Sequence, residues 1–142
     1  MAATSHAHTT TIPVRWSDFD RFGHVMNANY VEFAQEARLV FAQEHFYSKG
    51  VEFNVFVRSI NADFRLPVGP DTTEVTVHTD VSEVGTTSFV TRQEILDRQG
   101  RIACVVECAQ VVMDLETMRP RPLTEQEVEL ITAPSRAAKA AE

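Results

Sequence analysis

Cysteine is scarce in this chain of 142 residues, where only Cys104 and Cys108 occur. They are separated by three residues within an apolar, strand-like run, which puts their Cα atoms about 13 Å apart on one strand. A disulfide needs about 7 Å or less, and neither thiol has a Cys or His neighbour at metal-ligand spacing. The sequence therefore predicts two buried free thiols and no metal site. His6 and His8 are predicted to lie in a solvated tail.

Long apolar runs and clustered positive charge are also missing. No run approaches the ~20 apolar residues that cross a bilayer, and the first residues lack the basic and apolar regions of a signal peptide. We therefore expect a cytoplasmic protein that makes no use of a membrane. The 13 Lys and Arg are scattered and are outnumbered by 20 Asp and Glu, for a formal net charge of −7. Nucleic acid is not expected as a partner, because it needs a clustered basic face.

The hydrophobic pattern predicts a short strand over residues 10–16, a loop, and then one long amphipathic helix. Apolar residues of the helix recur at steps of three and four, at Tyr30, Phe33, Ala34, Ala37, Val40 and Phe41. Asn27 and Asn29 are both candidates for its N-cap, and Glu32 follows Asn29 at capping-box spacing. Lys49 and Gly50 predict its end.

Residues 53–115 are predicted to form four consecutive strands. The run 102–115 is apolar on both faces, which favours a central place in the sheet. Sequential hairpins make an antiparallel sheet, and the helix must bury its apolar stripe against that sheet, so the class is α+β. A short helix is expected over residues 124–131. The predicted organisation is a disordered tail over 1–9, a single domain over 10–132 and a C-terminal tail over 133–142.

The loop ahead of the long helix carries the residues with chemical potential. Asp18, Asp20 and Gly23 stand just before a helix N-terminus, where unpaired amides can hold an oxyanion. A carboxylate there can act as nucleophile or general base, which is what acyl transfer needs. The alternative is that Asp20 only forms a turn. Asp18 is expected to orient the loop. His24 either binds substrate or tunes Asp20, and the alternative is an imidazole that bonds to the backbone.

Residues 10–125 resemble the hotdog-fold proteins of the 4-hydroxybenzoyl-CoA thioesterase family. The resemblance rests on the segment 15–30, RWSDFDRFGHVMNANY, and on Glu36-Ala37-Arg38 in the helix. Weaker support comes from segments 64–67, 85–88 and 114–120. The resemblance implies a hotdog fold, in which an antiparallel sheet wraps around one long central helix.

The same resemblance implies roles for particular residues. Asp20 would be the catalytic carboxylate, either attacking the thioester or deprotonating a water, and the backbone amide of Asn27 would polarise the thioester carbonyl. The residues expected to bind substrate are Gly23, His24, Tyr30, Arg58 and Ser59. For Tyr30, packing in the core or at an interface is the alternative. The neighbourhood of Arg58 is expected to come from a partner chain.

The function that follows is an acyl-CoA thioesterase that releases a carboxylic acid and CoA without a metal or redox cofactor. We expect a homodimer or homotetramer, because exposed sheet edges favour assembly. Basic residues would have to meet the CoA phosphates, and the candidates are Arg21, Arg58, Arg65 and Arg92. The alternatives are an acyl-carrier-protein thioesterase and a non-catalytic acyl-binding module.

Overall fold

The computed structural model describes residues 6–140 as strands β1–β6, helices α1 and α2, and two 3-10 turns. The strands are β1 (His8–Pro13), β2 (Val55–Phe64), β3 (Glu74–Val84), β4 (Ser88–Leu96), β5 (Ile102–Asp114) and β6 (Arg119–Pro120). The helices are α1 (Asn27–His45) and α2 (Glu125–Ala140), and the 3-10 turns are Trp16–Asp18 and Tyr47–Lys49. Neither helix has the length and hydropathy to span a bilayer, as far as residues 6–140 are concerned.

The strands form a six-stranded antiparallel sheet in the order β1-β3-β4-β5-β2, with β6 paired to β5. Strand β5 lies between β4 and β2, which confirms the central place predicted from its apolar character. Cys104 and Cys108 are buried free thiols on this strand, and burial raises the pKa of Cys104 to about 11. The α+β class is confirmed.

Helix α1 packs its apolar stripe against the sheet. Phe33, Ala34 and Ala37 are fully buried in the main core, and the two alanines let the helix backbone approach the strands closely. Burying a phenylalanine contributes about 1.5–3 kcal/mol. One charged residue, Arg38, lies on the same buried face, which the apolar periodicity did not predict.

The predicted N-cap of α1 is wrong. The N-cap is Met26, which has an extended backbone and no side-chain cap. Asn29 instead donates from Nδ2 to Asp18 Oδ1 at 2.6 Å, because the carboxylate of the preceding loop is close enough to accept its hydrogen bond. At the other end α1 stops at His45, and the 3-10 turn that follows closes at Gly50, whose φ of 73° is left-handed.

The N-terminal prediction needs correction for the residues that the structure describes. Strand β1 begins at His8, which is 7% exposed, and His8 Nε2 bonds Glu44 Oε2 at 2.8 Å. His6 Nδ1 bonds Asp80 Oδ2 at 2.6 Å. Both imidazoles therefore pack against the fold and do not lie in a solvated tail. Residues 1–5 of the predicted tail lie outside the described part.

The C-terminal prediction is also wrong up to Ala140, because α2 continues through the segment expected to be a tail. Its first turn is a reciprocal capping box: Thr124 Oγ1 accepts the Glu127 amide, and Glu127 Oε1 accepts the Thr124 amide. Arg121 holds the same carboxylate through two hydrogen bonds of 2.8 and 2.6 Å. Ile131 is fully buried in a second core cluster, so tertiary contacts anchor the helix.

Candidate active site

The loop between β1 and α1 is a tight hairpin. Phe19 and Val25 form an antiparallel bridge, and the Asp20 amide donates to the His24 carbonyl at 2.8 Å. Gly23 turns the chain at a φ of +75°, and a Cβ there would lie 3.4 Å from Pro70. A glycine is required here because L side chains rarely adopt this conformation. The hairpin places the Asp20 side chain beside the start of α1.

Asp18 joins this hairpin to the helix. Its carboxylate is 1% exposed and accepts hydrogen bonds from the Arg15 amide at 2.7 Å, from Arg15 Nη2 at 3.2 Å and from Asn29 Nδ2. Its carbonyl accepts the Met26 amide at 2.9 Å. Burial alone would raise the pKa of Asp18, but the hydrogen bonds from Arg15 and Asn29 outweigh it and leave the pKa below its ordinary value.

Asp20 forms a turn with one oxygen and leaves the other free. Oδ1 accepts the amides of Phe22 at 2.8 Å and His24 at 3.1 Å, which is an Asx-type turn. No hydrogen bond to Oδ2 is found within residues 6–140. The two alternatives drawn from the sequence are therefore compatible in one side chain, since turn formation occupies only Oδ1.

A second aspartate shows what is specific to Asp20. Asp97 Oδ1 accepts the amides of Gln99 and Arg101 at 3.0 and 2.9 Å, and its turn also closes on a left-handed glycine, Gly100. The second oxygen of Asp97 is bound by Arg101 Nε at 2.8 Å. Asp20 has the same turn, but its Oδ2 has no described donor, and Asp20 shares a cleft with Asn27, the first residue of α1.

The first amides of α1 are available as donors. The Asn29 amide bonds the Met26 carbonyl at 2.9 Å, whereas the Asn27 and Ala28 amides have no acceptor among the described residues. Unpaired N–H groups and the positive end of the helix dipole favour negative charge at this point. The backbone amide of Asn27 is therefore free to donate a hydrogen bond to an anion at this point.

Asp20 and Asn27 line one cleft of about 260 Å³. The other residues around the cleft are His24, Val25, Tyr30, Phe64, Arg65, Leu66 and Pro67. A larger cavity of about 490 Å³ lies between the N-terminal segment and α2, but it contains no helix N-terminus, and its Glu129 is paired with Arg136 at 2.6 Å. The smaller cleft, which contains a carboxylate and a helix N-terminus, is therefore the candidate active site. No cluster of three or more His, Cys, Asp or Glu within 6–140 has metal-site geometry.

Tyr30 and His24 enter the cleft in different ways. Tyr30 is 2% exposed, its hydroxyl accepts the Val68 amide at 3.0 Å, and its ring meets Phe64 edge-on at 5.7 Å. Burial raises the pKa of Tyr30, so this residue is a neutral wall that also packs the core. The His24 ring is exposed and makes no hydrogen bond to any described residue, so the expected backbone bond of the imidazole is not observed.

Arg58 and Ser59 do not line the Asp20 cleft within one chain. Both are exposed on β2, an edge of the sheet, where the register with β5 shifts between Val57 and Ser59. The cleft contains Arg65 instead, which follows β2 and bonds Asp63 Oδ2 at 2.8 Å. Among the four candidate arginines, Arg65 alone lines it. The sequence named Arg65 as one of four candidates for the CoA phosphates but gave no means of choosing among them.

The fold is similar to that of several solved structures. A thioesterase from Thermus thermophilus, complexed with coenzyme A and Zn, is 23% identical with a TM-score of 0.82, and the alignment covers 94% of this chain and 98% of that one. A Staphylococcus aureus protein in complex with CoA is 15% identical with a TM-score of 0.81, covering 96% and 88%. A 1,4-dihydroxy-2-naphthoyl-CoA thioesterase from Synechocystis is 18% identical with a TM-score of 0.73, covering 87% and 93%.

At these identities the structural likeness shows the fold, and the hotdog architecture is confirmed. No curated protein matches the chain. The family is shown by the sequence itself, because residues 14–134 match the Thioesterase-like superfamily. The chain therefore belongs to the thioesterase-like superfamily and is a thioester hydrolase.

Proposed function

We propose that this protein is an acyl-CoA thioesterase that hydrolyses its substrate to a carboxylic acid and CoA. The observation that carries the proposal is that one cleft contains both Asp20, whose Oδ2 has no described donor, and Asn27, whose backbone amide at the start of α1 has no described acceptor. A carboxylate and an oxyanion site together supply what an already reactive thioester needs. The CoA seen in the similar Thermus thermophilus and Staphylococcus aureus structures supports CoA as the thiol.

The backbone amide of Asn27 would bind the thioester carbonyl oxygen and stabilise the negative charge that develops on it. Asp20 Oδ2 then has two routes. It attacks the carbonyl carbon, expels CoA as the thiolate and forms a mixed anhydride that water hydrolyses, or it removes a proton from a water that adds to the carbonyl. Both routes give the same acid and thiol. Both use the oxygen that the turn leaves free.

Arg65, which lines the cleft, can bind a phosphate of CoA. Arg65 is about half exposed, and its only described ion-pair partner is Asp63, which is more exposed still. Exposed ion pairs of this kind contribute little, so a phosphate oxygen can compete for the guanidinium. We assign Arg65 to the CoA side of the substrate.

The proposal predicts thiol release from acyl-CoA. Straight-chain, branched and aromatic acyl-CoAs, offered one at a time, should include substrates whose hydrolysis exceeds the background rate by several orders of magnitude, as expected of an enzyme. A chromogenic thiol reagent measures the CoA released. If the protein hydrolyses acylated acyl-carrier protein but no acyl-CoA, the thiol half of the substrate is the carrier protein and not CoA. If it binds acyl-CoA but releases no thiol, it is a non-catalytic acyl-binding module.

Strand β2 gives a reason to expect a second copy of the chain. Among the strands of residues 6–140 it pairs with β5 alone and presents its other side as an open edge. Its exposed residues include Phe56, Val57, Ile60 and Phe64. A long apolar edge of this kind favours pairing with another strand, and a symmetric dimer closes the contact. We infer a homodimer through β2, or a tetramer of such dimers, in which the Arg58 and Ser59 of one chain serve the Asp20 cleft of its partner.

A mixing experiment tests this shared site. Asp20→Asn and Arg58→Ala proteins, each impaired alone, are combined, dissociated and reassociated at a 1:1 ratio. A dimer with one chain of each kind has one cleft with intact Asp20 and Arg58, so random pairing should restore about a quarter of wild-type activity. Activity equal to the mean of the two separate variants would show that each site uses a single chain. Sedimentation measures the assembly in parallel.

A further inference from the structure

A third and smaller cavity, of about 40 Å³, lies on the inner side of α1, away from the Asp20 hairpin. Its wall is mainly apolar, with four phenylalanines from α1, the turn after it, the segment before β2, and β4. Three buried polar side chains share the lining, those of Arg38, Thr91 and Gln110. The four phenylalanines are Phe41, Phe46, Phe53 and Phe89.

Arg38 brings a buried positive charge to this cavity without a matching negative one. It is 9% exposed, and no carboxylate of residues 6–140 lies within ion-pair distance of it. Its one described hydrogen bond runs from Nη1 to Gln93 Oε1 at 3.1 Å. Gln93 is itself fixed, because its Nε2 donates to the Ala34 carbonyl at 2.9 Å and to Thr79 Oγ1 at 3.1 Å. A guanidinium has five N–H donors, so most of those on Arg38 remain to be used.

Buried charges in proteins are ordinarily paired, because removing an unpaired ion from water is costly. Lysine and histidine can lose their proton when buried, but arginine keeps its charge in proteins. The Gln93 oxygen reduces the cost at Arg38 in part, and an anion in the cavity would reduce it further. Neutral acceptors in the lining, such as the Gln110 amide oxygen, are weaker partners than an anion, and the edges of the aromatic rings carry partial positive charge that suits an anion.

Thr91 supplies a second donor. It is buried on β4 and accepts a hydrogen bond from Gln110 Nε2 at 3.1 Å. Because its oxygen is the acceptor there, the hydroxyl hydrogen remains to be donated. The guanidinium fork and one hydroxyl thus line the same small space. One water needs about 10–15 Å³ of such volume, so the cavity fits a group of a few heavy atoms.

We propose that Arg38 and Thr91 bind a carboxylate group in this cavity, supplied by a free small organic acid or by the far end of the acyl group. The planar fork of arginine matches two carboxylate oxygens. Asn27 and Arg38 are 11 positions apart on α1, about 16 Å at 1.5 Å per residue, so an acyl chain of medium length would be needed to reach from one site to the other. The second source rests on the proposed thioesterase function, whereas the first does not.

Thermal unfolding in sodium formate tests the site itself, with sodium chloride at equal ionic strength as the reference. At ten times its dissociation constant, formate should raise the wild-type midpoint by about 4 °C over chloride. Arg38→Met should lose this difference. Arg38→Lys keeps the charge without the fork and should show a smaller one. Arg98→Met, which alters an exposed arginine paired with Asp71, should retain the full difference.

Methionine is a tolerable replacement, because exchanging a buried ion for an apolar residue of similar size often preserves the fold. If Arg38→Met does not fold, the comparison of Arg38→Lys with Arg98→Met still decides. Equal midpoints in formate and chloride for the wild type would overturn the site. So would an undiminished formate effect in both Arg38 variants.

Hydrolysis distinguishes the source of the carboxylate. Medium-chain ω-carboxyacyl-CoAs are compared with methyl-ended acyl-CoAs of the same length. If the acyl group supplies the carboxylate, wild type should favour the ω-carboxy series by about tenfold or more in kcat/KM, and Arg38→Met should bring that ratio close to one. A formate effect without such a preference assigns the site to a free acid. A protein that cleaves neither series fails as an acyl-CoA thioesterase, and the formate result then decides the site independently.

Discussion

Replacing Asp20 with Asn should lower the rate of thiol release by at least ~10²-fold while the protein stays folded. The variant keeps an oxygen that can accept the Phe22 and His24 amides, so the turn survives. It replaces the free Oδ2 with a neutral amide group that can neither attack a thioester nor take a proton. Losing a general base or nucleophile costs about 10²–10⁴ in rate, which is roughly 3–5 kcal/mol of barrier.

Asp97→Asn is the matched control. Asp97 forms the same turn with the same two-amide pattern but lies in the β4–β5 hairpin, with its second oxygen bound by Arg101. Its replacement should destabilise the protein without lowering turnover per folded molecule. Rates are measured on the best acyl-CoA found, and folding is followed by circular dichroism. Near-normal turnover in a folded Asp20→Asn protein would remove Asp20 from the mechanism.

Much of the fold could be predicted because its signals are local and repeated. The α1 stripe repeats over several turns, and strand β4 and much of β3 alternate buried with partly buried residues, as expected of a sheet with one well-covered face. The apolar run 102–115 was placed centrally for the same reason, since only a strand covered on both faces has that composition. Errors appeared where tertiary contacts override local pattern. His8 is held by Glu44, and α2 is anchored by Ile131.

In the candidate site, too, the residues that are close in sequence could be predicted, and those that tertiary contacts bring in could not. Asp20, Gly23 and Asn27 are close in sequence, so the loop-then-helix pattern was enough to bring them together. Arg65 lines the cleft because β2 ends beside α1. The local sequence pattern cannot predict that tertiary contact between the strand and the helix. The burial of Arg38 could not be predicted for a different reason. A buried face is identified from its apolar periodicity, and a charged residue interrupts that periodicity.

Replacing Asp18 with Asn should lower stability strongly and the rate of thiol release less, whereas replacing Asp20 should mainly lower the rate. The carboxylate accepts the Arg15 amide with one oxygen and Asn29 Nδ2 with the other. An asparagine side chain has one oxygen only. In either orientation of its amide group, its NH₂ therefore faces one of these two donors, the Arg15 amide or Asn29 Nδ2. Loss of a buried hydrogen bond to a charged group costs about 1.5–3 kcal/mol, or roughly 5–10 °C in midpoint.

The pH dependence of stability provides a signature that a packing defect would lack. The folded pKa of Asp18 is lowered, so its contribution is complete above the ordinary aspartate pKa of about 4 and is lost as pH falls through the folded value. The difference in unfolding free energy between wild type and Asp18→Asn should therefore be constant near neutral pH and shrink below about pH 4. A difference that persists unchanged into acid would mean that shape, and not the ionised carboxylate, fixes the hairpin to α1.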